Sequence, residues 1–232
     1  MRPLPLMLFA AGFGTRMGDL TAHKPKPLIP VAGRPLIDHA LNLAKTAGIE
    51  SVVVNLHYLG DQLADHLKGR KIGLSWEREQ ILETGGGLRA ALPLLGDGPV
   101  LTLNTDSVWT GKNPLMQLLS VWDTTRMDAL LLLLPADKAL GHSGGGDFAL
   151  GKDGRIKRAK GEGTAVFLGA QVVRTEGLAG ITEPVFSLNQ LWDEMIAKGR
   201  AFGLIHQGGW CDVGSPAGIV LAEGLLARHE DV

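Results

Sequence analysis

The first thirty residues constrain this chain more than any other stretch. An apolar run over 4–10 leads into Ala11-Gly12-Phe13-Gly14-Thr15-Arg16, and Lys24-Pro25-Lys26-Pro27 follows shortly after. The order reads as a buried strand, a glycine-rich turn, then fixed positive charge. A strand apolar on both faces belongs in a sheet covered on both sides. The rest of the first half alternates in the same sense. Pro35 opens a helix with Leu36, Ile37, Ala40, Leu41, Ala44 and Ala47 at helical spacing, and Gly48 can end it. Strands are predicted over 6–10, 51–55, 74–77, 100–104 and 129–134, with helices over 61–67, 87–94 and 115–122 between them. Repeated strand–helix–strand units require a mostly parallel sheet, because each return crossing needs a helix.

The second half reads differently. Segments 147–150 and 156–160 flank Lys152-Asp153-Gly154-Arg155, a hairpin turn of the Asp-Gly type. Segment 164–173 alternates as a strand, 188–198 is a helix, 201–206 a strand and 216–229 a terminal helix. The fold class expected is thus α/β, a Rossmann-like, mostly parallel central sheet with helices on both faces and an appended antiparallel part. No linker or internal repeat interrupts the 232 residues. We read 1–232 as one domain, with a nucleotide half over about 1–110 and a second-substrate half over about 111–232.

Composition excludes several classes. The formal net charge is −1, which argues against a general nucleic-acid or anionic-membrane surface. The apolar run at 130–134 is too short to span a bilayer. Met1-Arg2-Pro3 leads into strand-like sequence without a signal-peptide pattern. The single cysteine, Cys211, has no internal disulfide partner, which suits a reducing cytoplasm, and its expected role is a small buried apolar residue. Oligomeric state is left open, a monomer included.

The glycine turn carries the chemistry. Glycines let backbone approach phosphate oxygens and aim N–H groups at them. Arg16 can fork onto phosphate oxygens and Lys26 can add a compact charge. A dinucleotide fingerprint needs a third glycine where Met17 stands, with an acidic residue about 20 positions on. The G-x-x-x-x-G-K-[ST] loop is absent. The turn therefore suits a nucleoside triphosphate held in another manner. Asp106, at the carboxyl end of the 100–104 strand, sits where open α/β sheets bind ligands. With Asp212, in Trp210-Cys211-Asp212-Val213-Gly214, it can hold one Mg²⁺ that also takes phosphate oxygens. Glu83-Thr84-Gly85-Gly86-Gly87 reads as a base-reading loop, with Glu83 accepting a ring N–H; uracil and guanine both offer one. His142-Ser143-Gly144-Gly145-Gly146-Asp147 is a second glycine-rich loop, either sugar-facing or merely surface. Trp109 and Trp210 are expected in the core, with sugar stacking as the other reading. Asp147 and Asn189 are the candidates for the sugar pocket.

Ala10-Ala11-Gly12-Phe13-Gly14-Thr15-Arg16, then Pro25-Lys26-Pro27-Leu28, resembles the signature of the sugar-1-phosphate nucleotidyltransferases. Leu82-Glu83-Thr84-Gly85-Gly86-Gly87, Asn104-Thr105-Asp106 and the 210–214 segment fall in that family's order. Gly146-Asp147-Phe148, Phe186-Ser187-Leu188 and the length look most like its short uridylyltransferase subgroup of cell-wall recycling. The resemblance implies attack of a sugar 1-phosphate on a nucleoside triphosphate, with pyrophosphate leaving and no covalent intermediate. It implies nucleotide contacts from Ala10, Ala11, Gly12, Gly14, Thr15, Arg16, Lys26, Glu83, Gly85 and Asn104. Arg16, Lys26 and Asp106 would be catalytic, and Asp106 and Asp212 the Mg²⁺ ligands. UTP and N-acetylmuramic acid 1-phosphate are the implied substrates. Guanylyl or thymidylyl transfer to mannose or glucose 1-phosphate is the alternative, and a nucleotide-sensing module the non-enzymatic one. Many members carry Gly-Asp or Asp-x-Asp at the metal strand, whereas this one offers a single carboxylate there.

Overall fold

The computed structural model describes residues 4–228 apart from residue 162. Met1-Arg2-Pro3 and the predicted end of the last helix at His229 lie outside the described residues. In chain order the elements are β1 (Leu6–Phe9), β2 (Pro30–Val31), β3 (Arg34–Pro35), α1 (Leu36–Thr46), β4 (Val52–Leu56), α2 (Gly60–Leu67), β5 (Ile72–Trp76), α3 (Glu83–Leu95), β6 (Val100–Asn104), β7 (Ser107–Trp109), α4 (Pro114–Val121), β8 (Ala129–Pro135), β9 (Phe148–Leu150), β10 (Ile156–Arg158), β11 (Ala165–Val173), α5 (Asn189–Ala197), β12 (Ala201–Ile205), β13 (Trp210–Asp212) and α6 (Pro216–Ala227).

One mixed sheet runs through both halves. Strands β6, β1, β4 and β5 run parallel, and β12 pairs in parallel with β8 at the other end. Beyond β6 the ladder turns antiparallel at β11, which also pairs with β8 and touches β9. The alternation of each strand distributes its side chains to two cores. Leu6, Leu8, Val52 and Val54 pack toward α1, α2 and α4. Met7, Val53, Leu131 and Leu133 pack toward α3 and α5. This is the two-sided cover that the unbroken apolar runs demand. The predicted hairpin is present, with β9 and β10 antiparallel around it.

Two features set the ligand edge. The carboxyl ends of β1, β4, β5 and β6 emerge on one side, bringing Ala10, Asn55, Glu77 and Asn104 to the same rim. A short ribbon, β7 against β13, then pairs Ser107 with Asp212, and the Val213 N–H donates to the Asp106 carbonyl at 2.8 Å. That ribbon packs on α6 through Val108, Cys211, Val213, Ala222 and Leu225. Trp109 and Trp210 are buried in the core, as expected.

One element differs from the sequence expectation. The Glu83–Gly87 stretch is not a loop but the first turn of α3. Three glycines disfavour helix by backbone entropy, yet here tertiary contact decides. The N–H groups of Gly85 and Gly86 both donate to the Phe186 carbonyl, at 2.9 and 3.1 Å. A Cβ on Gly85 would lie 2.3 Å from the Phe186 ring, and one on Gly86 2.4 Å from the Pro184 carbonyl oxygen. Only a glycine turn lets the 184–186 segment approach this closely.

Candidate active site

Two adjoining clefts open at this rim. The first, about 230 Å³, is bounded by the β1 turn, Lys26, Glu83 and Asp106. The second, about 270 Å³, lies over β11 and α5 and includes Asp147 and Asn189. Phe9, Thr84 and Asn104 line both, so the two spaces share a wall.

The backbone from Ala10 to Gly14 forms the rim of the first cleft, and a 3-10 helix (Thr15–Thr21) follows. A Cβ on Gly12 would meet nothing within 4 Å, so open space faces that backbone. Gly14 has the opposite role. Its φ is +67°, and a Cβ there would sit 3.0 Å from both Lys26 Cβ and Thr21 Cγ2. It folds the turn tightly over Lys26, whose side chain is thereby buried. The Lys26 Nζ donates to Asp106 Oδ2 at 2.8 Å. Thr15 and Arg16 stand outside this wall, exposed at the start of the 3-10 helix. Arg16 Nη1 lies 3.6 Å from Asp212 Oδ2.

The ribbon makes Asp106 and Asp212 neighbours although 106 residues of sequence could have separated them anywhere in the fold. Burial pushes the Asp212 carboxyl above its ordinary range, and the Asp106 carboxylate pushes it further; Lys26, Arg16 and His142 pull it back. A carboxylate whose charge is disfavoured by burial beside a second carboxylate forms a site that a cation relieves. Among the described residues no group of three or more His, Cys, Asp or Glu gathers. A two-carboxylate set fits Mg²⁺, which takes the rest of its shell from water and phosphate oxygens. Cys211 is fully buried, and burial raises its thiol to about 11, so it is an apolar filler, as expected.

Sequence reasoning missed the support beneath the first cleft. The Ala10 N–H donates to Asn55 Oδ1 at 2.7 Å. Asn55 Nδ2 donates to Glu77 Oε1 at 2.7 Å. The Leu82 N–H donates to Glu77 Oε2 at 2.7 Å. Glu77 is only 2% exposed. One buried carboxylate thus links the turn after β1 to the start of α3. Gly87 makes room for it, since a Cβ there would be 2.6 Å from Oε1. The available signal was a polar residue ending each of two buried parallel strands.

The predicted residues divide as follows. Ala10, Ala11, Gly12, Lys26, Glu83, Asn104 and Asp106 line the first cleft. Gly85 does not, because its N–H is spent on Phe186; it ties α3 to the second half instead of meeting a base. Glu83 holds φ +61°, the left-handed region that disfavours a side chain. In the second cleft, Asp147 Oδ2 accepts the Phe167 N–H at 2.9 Å. Asn189 Oδ1 accepts from Arg158 Nη2 at 2.8 Å. Asn104 is itself fixed by the β11 bulge: Gly169 has φ +81°, and a Cβ there would lie 2.8 Å from the Asn104 side chain. The second glycine-rich loop is anchored beside the carboxylates, where the Asp212 N–H donates to the Leu140 carbonyl at 2.9 Å.

The profile of the MobA-like NTP transferase domain matches residues 6–143. The N-acetylmuramate alpha-1-phosphate uridylyltransferase of Caulobacter vibrioides (strain ATCC 19089 / CIP 103742 / CB 15) is 40% identical over 97% of this chain and 98% of its own. The protein of that name from Neisseria meningitidis serogroup B is 34% identical over 94% and 96%. Among solved structures, a UDP-glucose pyrophosphorylase complexed with UDP-glucose superposes with a TM-score of 0.79 at 18% identity, over 97% of this chain and 99% of that one. HddC from Yersinia pseudotuberculosis complexed with GMP-PN gives 0.77 at 17%, over 95% and 98%. The family match and the two relatives define a nucleotidyltransferase, and the fold is of the α/β class. The chain belongs to the MobA-like NTP transferase family, within its sugar-1-phosphate nucleotidyltransferases. Among the described residues no helix is long and apolar enough to cross a membrane.

Proposed function

We propose that this chain transfers the uridylyl group of UTP to N-acetylmuramic acid 1-phosphate, with Mg²⁺, releasing pyrophosphate. The observation that carries the reading is the pair of clefts sharing Phe9, Thr84 and Asn104, with Lys26 and Asp106 lining the first. Such a layout serves two substrates that must meet. The likeness to the two bacterial uridylyltransferases supports the choice of base and sugar.

In this reading the first cleft takes UTP. Backbone over 10–14 and the Arg16 guanidinium grip its phosphates, and Glu83 accepts the uracil N–H. The second cleft takes the sugar, with Asp147 and Asn189 facing its hydroxyls. An oxygen of the sugar phosphate attacks the α-phosphorus. The new O–P bond forms as the bond to the bridging β-phosphate oxygen breaks, and its electron pair leaves with pyrophosphate. The nucleophile is already an anion, so no general base is required. Catalysis is then positioning and charge neutralisation. Lys26 offsets charge as the leaving group departs. Asp106 and Asp212 would hold the Mg²⁺, which when bound neutralises the phosphates of both substrates. One chain lines both clefts, so a monomer suffices as the active unit. A reaction that consumes UTP belongs in the cytoplasm.

The test is pyrophosphate release across UTP, GTP, dTTP, CTP and ATP against the 1-phosphates of N-acetylmuramic acid, N-acetylglucosamine, glucose and mannose, with and without Mg²⁺. Turnover confined to UTP, N-acetylmuramic acid 1-phosphate and Mg²⁺ is expected. Preference for GTP or dTTP with mannose or glucose 1-phosphate would replace the substrates and keep the chemistry. Tight UTP binding without turnover on any sugar would instead make the chain a sensor.

A further inference from the structure

Arg158 is the one cation among the described residues lining the second cleft. It ends β10, opposite Phe148, and its guanidinium is held from three directions. Its Nε donates to Asp193 Oδ1 at 2.8 Å. Its Nη2 donates to Asn189 Oδ1 at 2.8 Å. Its carbon centre lies 4.9 Å from the Phe148 ring centroid and 5.6 Å from that of Trp192. The remaining nitrogen, Nη1, has no hydrogen-bond partner among the described residues. Asp193 is 60% exposed and takes only Nε, so it orients the group without capping it.

A neutral sugar has no need of this charge, since the Ser187 hydroxyl can donate to a hydroxyl oxygen and Asp147 Oδ1 can accept from a hydroxyl proton. The phosphate end of the substrate is met elsewhere, because Lys26 lines only the first cleft. A planar guanidinium with its flexibility already spent is suited to a second anion, and best to a carboxylate. N-acetylmuramic acid differs from N-acetylglucosamine by one 3-O-lactyl carboxylate.

We propose that Arg158 is the specificity-determining residue that reads the carboxylate of the sugar phosphate. This rests on the function proposed above. Failure to pair a substrate's charge in a built site costs a large factor in kcat/KM, whereas a hydroxyl-only substrate loses little.

Steady-state kinetics with UTP on the wild type, Arg158→Gln and Arg158→Lys test it, using N-acetylmuramic acid 1-phosphate and N-acetylglucosamine 1-phosphate. Where turnover of the latter is too slow to follow, its inhibition constant is read instead. Arg158→Gln is expected to lower kcat/KM for the muramate by about 50-fold or more, mainly through KM, and to lower the glucosamine value by at least about tenfold less, the share that comes through Asn189. Arg158→Lys should recover part of the loss. Equal losses on both sugars would make Arg158 a structural tie between β10 and α5, and no loss would put the carboxylate elsewhere; either overturns the inference. A wild type that turns over N-acetylglucosamine 1-phosphate but not the muramate would overturn the proposed function itself.

Discussion

The Lys26 ammonium donates to the Asp106 carboxylate at 2.8 Å, although 80 positions of sequence separate them. The contact spans the floor of the first cleft, from the short 3-10 helix at Lys26–Leu28 to the residues that follow β6. It fixes where the one buried ammonium of that wall sits before any substrate arrives. Gly14 closes over the lysine stem and Asp106 holds its tip, so the charge is positioned from both ends.

Lys26→Met should therefore cut kcat/KM for pyrophosphate release by about 10²–10³-fold, the usual cost of losing one preorganised charge at a reacting group. Stability should change by less than about 1 kcal/mol, because the partner Asp106 stays in contact with solvent. Kinetics and a thermal melt on the same preparation check both halves. Activity within threefold of wild type would remove Lys26 from the chemistry.

Asp212 makes the opposite demand on stability and on activity. Its raised carboxyl means that the folded chain holds a proton there more tightly than the unfolded chain does. Ionisation at neutral pH thus opposes folding, and the effect fades as pH falls. Asp212→Asn should raise the thermal midpoint of metal-free protein at pH 7, by about 2–4 °C for each kcal/mol relieved. The same variant should need at least about tenfold more Mg²⁺ for half-maximal activity. A lower midpoint would contradict the strained carboxylate.

Two histidines set the acid limit of stability. Burial depresses both His39 and His206 below their ordinary 6.5. The unfolded chain then binds protons that the folded chain refuses, so their contribution is present above about pH 6.5 and lost as pH falls. Urea midpoints measured from pH 7.5 to 6 should decline, with a slope of up to about 1.4 kcal/mol per pH unit for each group. A flat profile would mean that the folded chain binds as many protons as the unfolded chain over this range.

Glu77 is a positioning residue, and its support is steric as well as polar. Glu77→Gln replaces one acceptor oxygen by a donor, facing either Asn55 Nδ2 or the Leu82 N–H. The expected cost is about 1–3 kcal/mol. Gly87→Ala should cost a comparable amount, because its Cβ would press on Glu77 Oε1. In both variants KM for UTP should rise more than kcat falls, since the phosphate turn and the start of α3 lose their shared anchor. Loss of stability with an unchanged KM would make the network purely structural.

Much of this molecule was legible along the chain. Unbroken apolar runs at 6–9 and 52–56 require burial on both faces, and the helix at 36–46 announces itself by spacing, Pro35 and Gly48. The turn at 10–14 and the Asp106 strand end followed from the same local rules, because a glycine turn and the end of an apolar run are both read from a short stretch of chain. The glycines at 85–87 read as a loop but begin a helix, since Gly85 and Gly86 admit the 184–186 segment a hundred residues away and Gly87 clears Glu77. Asn55 and Glu77 were silent, each an ordinary polar residue until the sheet sets them side by side.

The sequence by itself determined most of the helices and long strands and the mostly parallel character of the central sheet. These depend on periodicity and on local backbone freedom. Tertiary structure alone decided that Asp212 faces Asp106, that Gly169 pins Asn104 and that Arg158 enters the second cleft. Each is a contact between segments distant in the chain, made by strand register and close packing, and no local pattern encodes which distant partner a residue will meet.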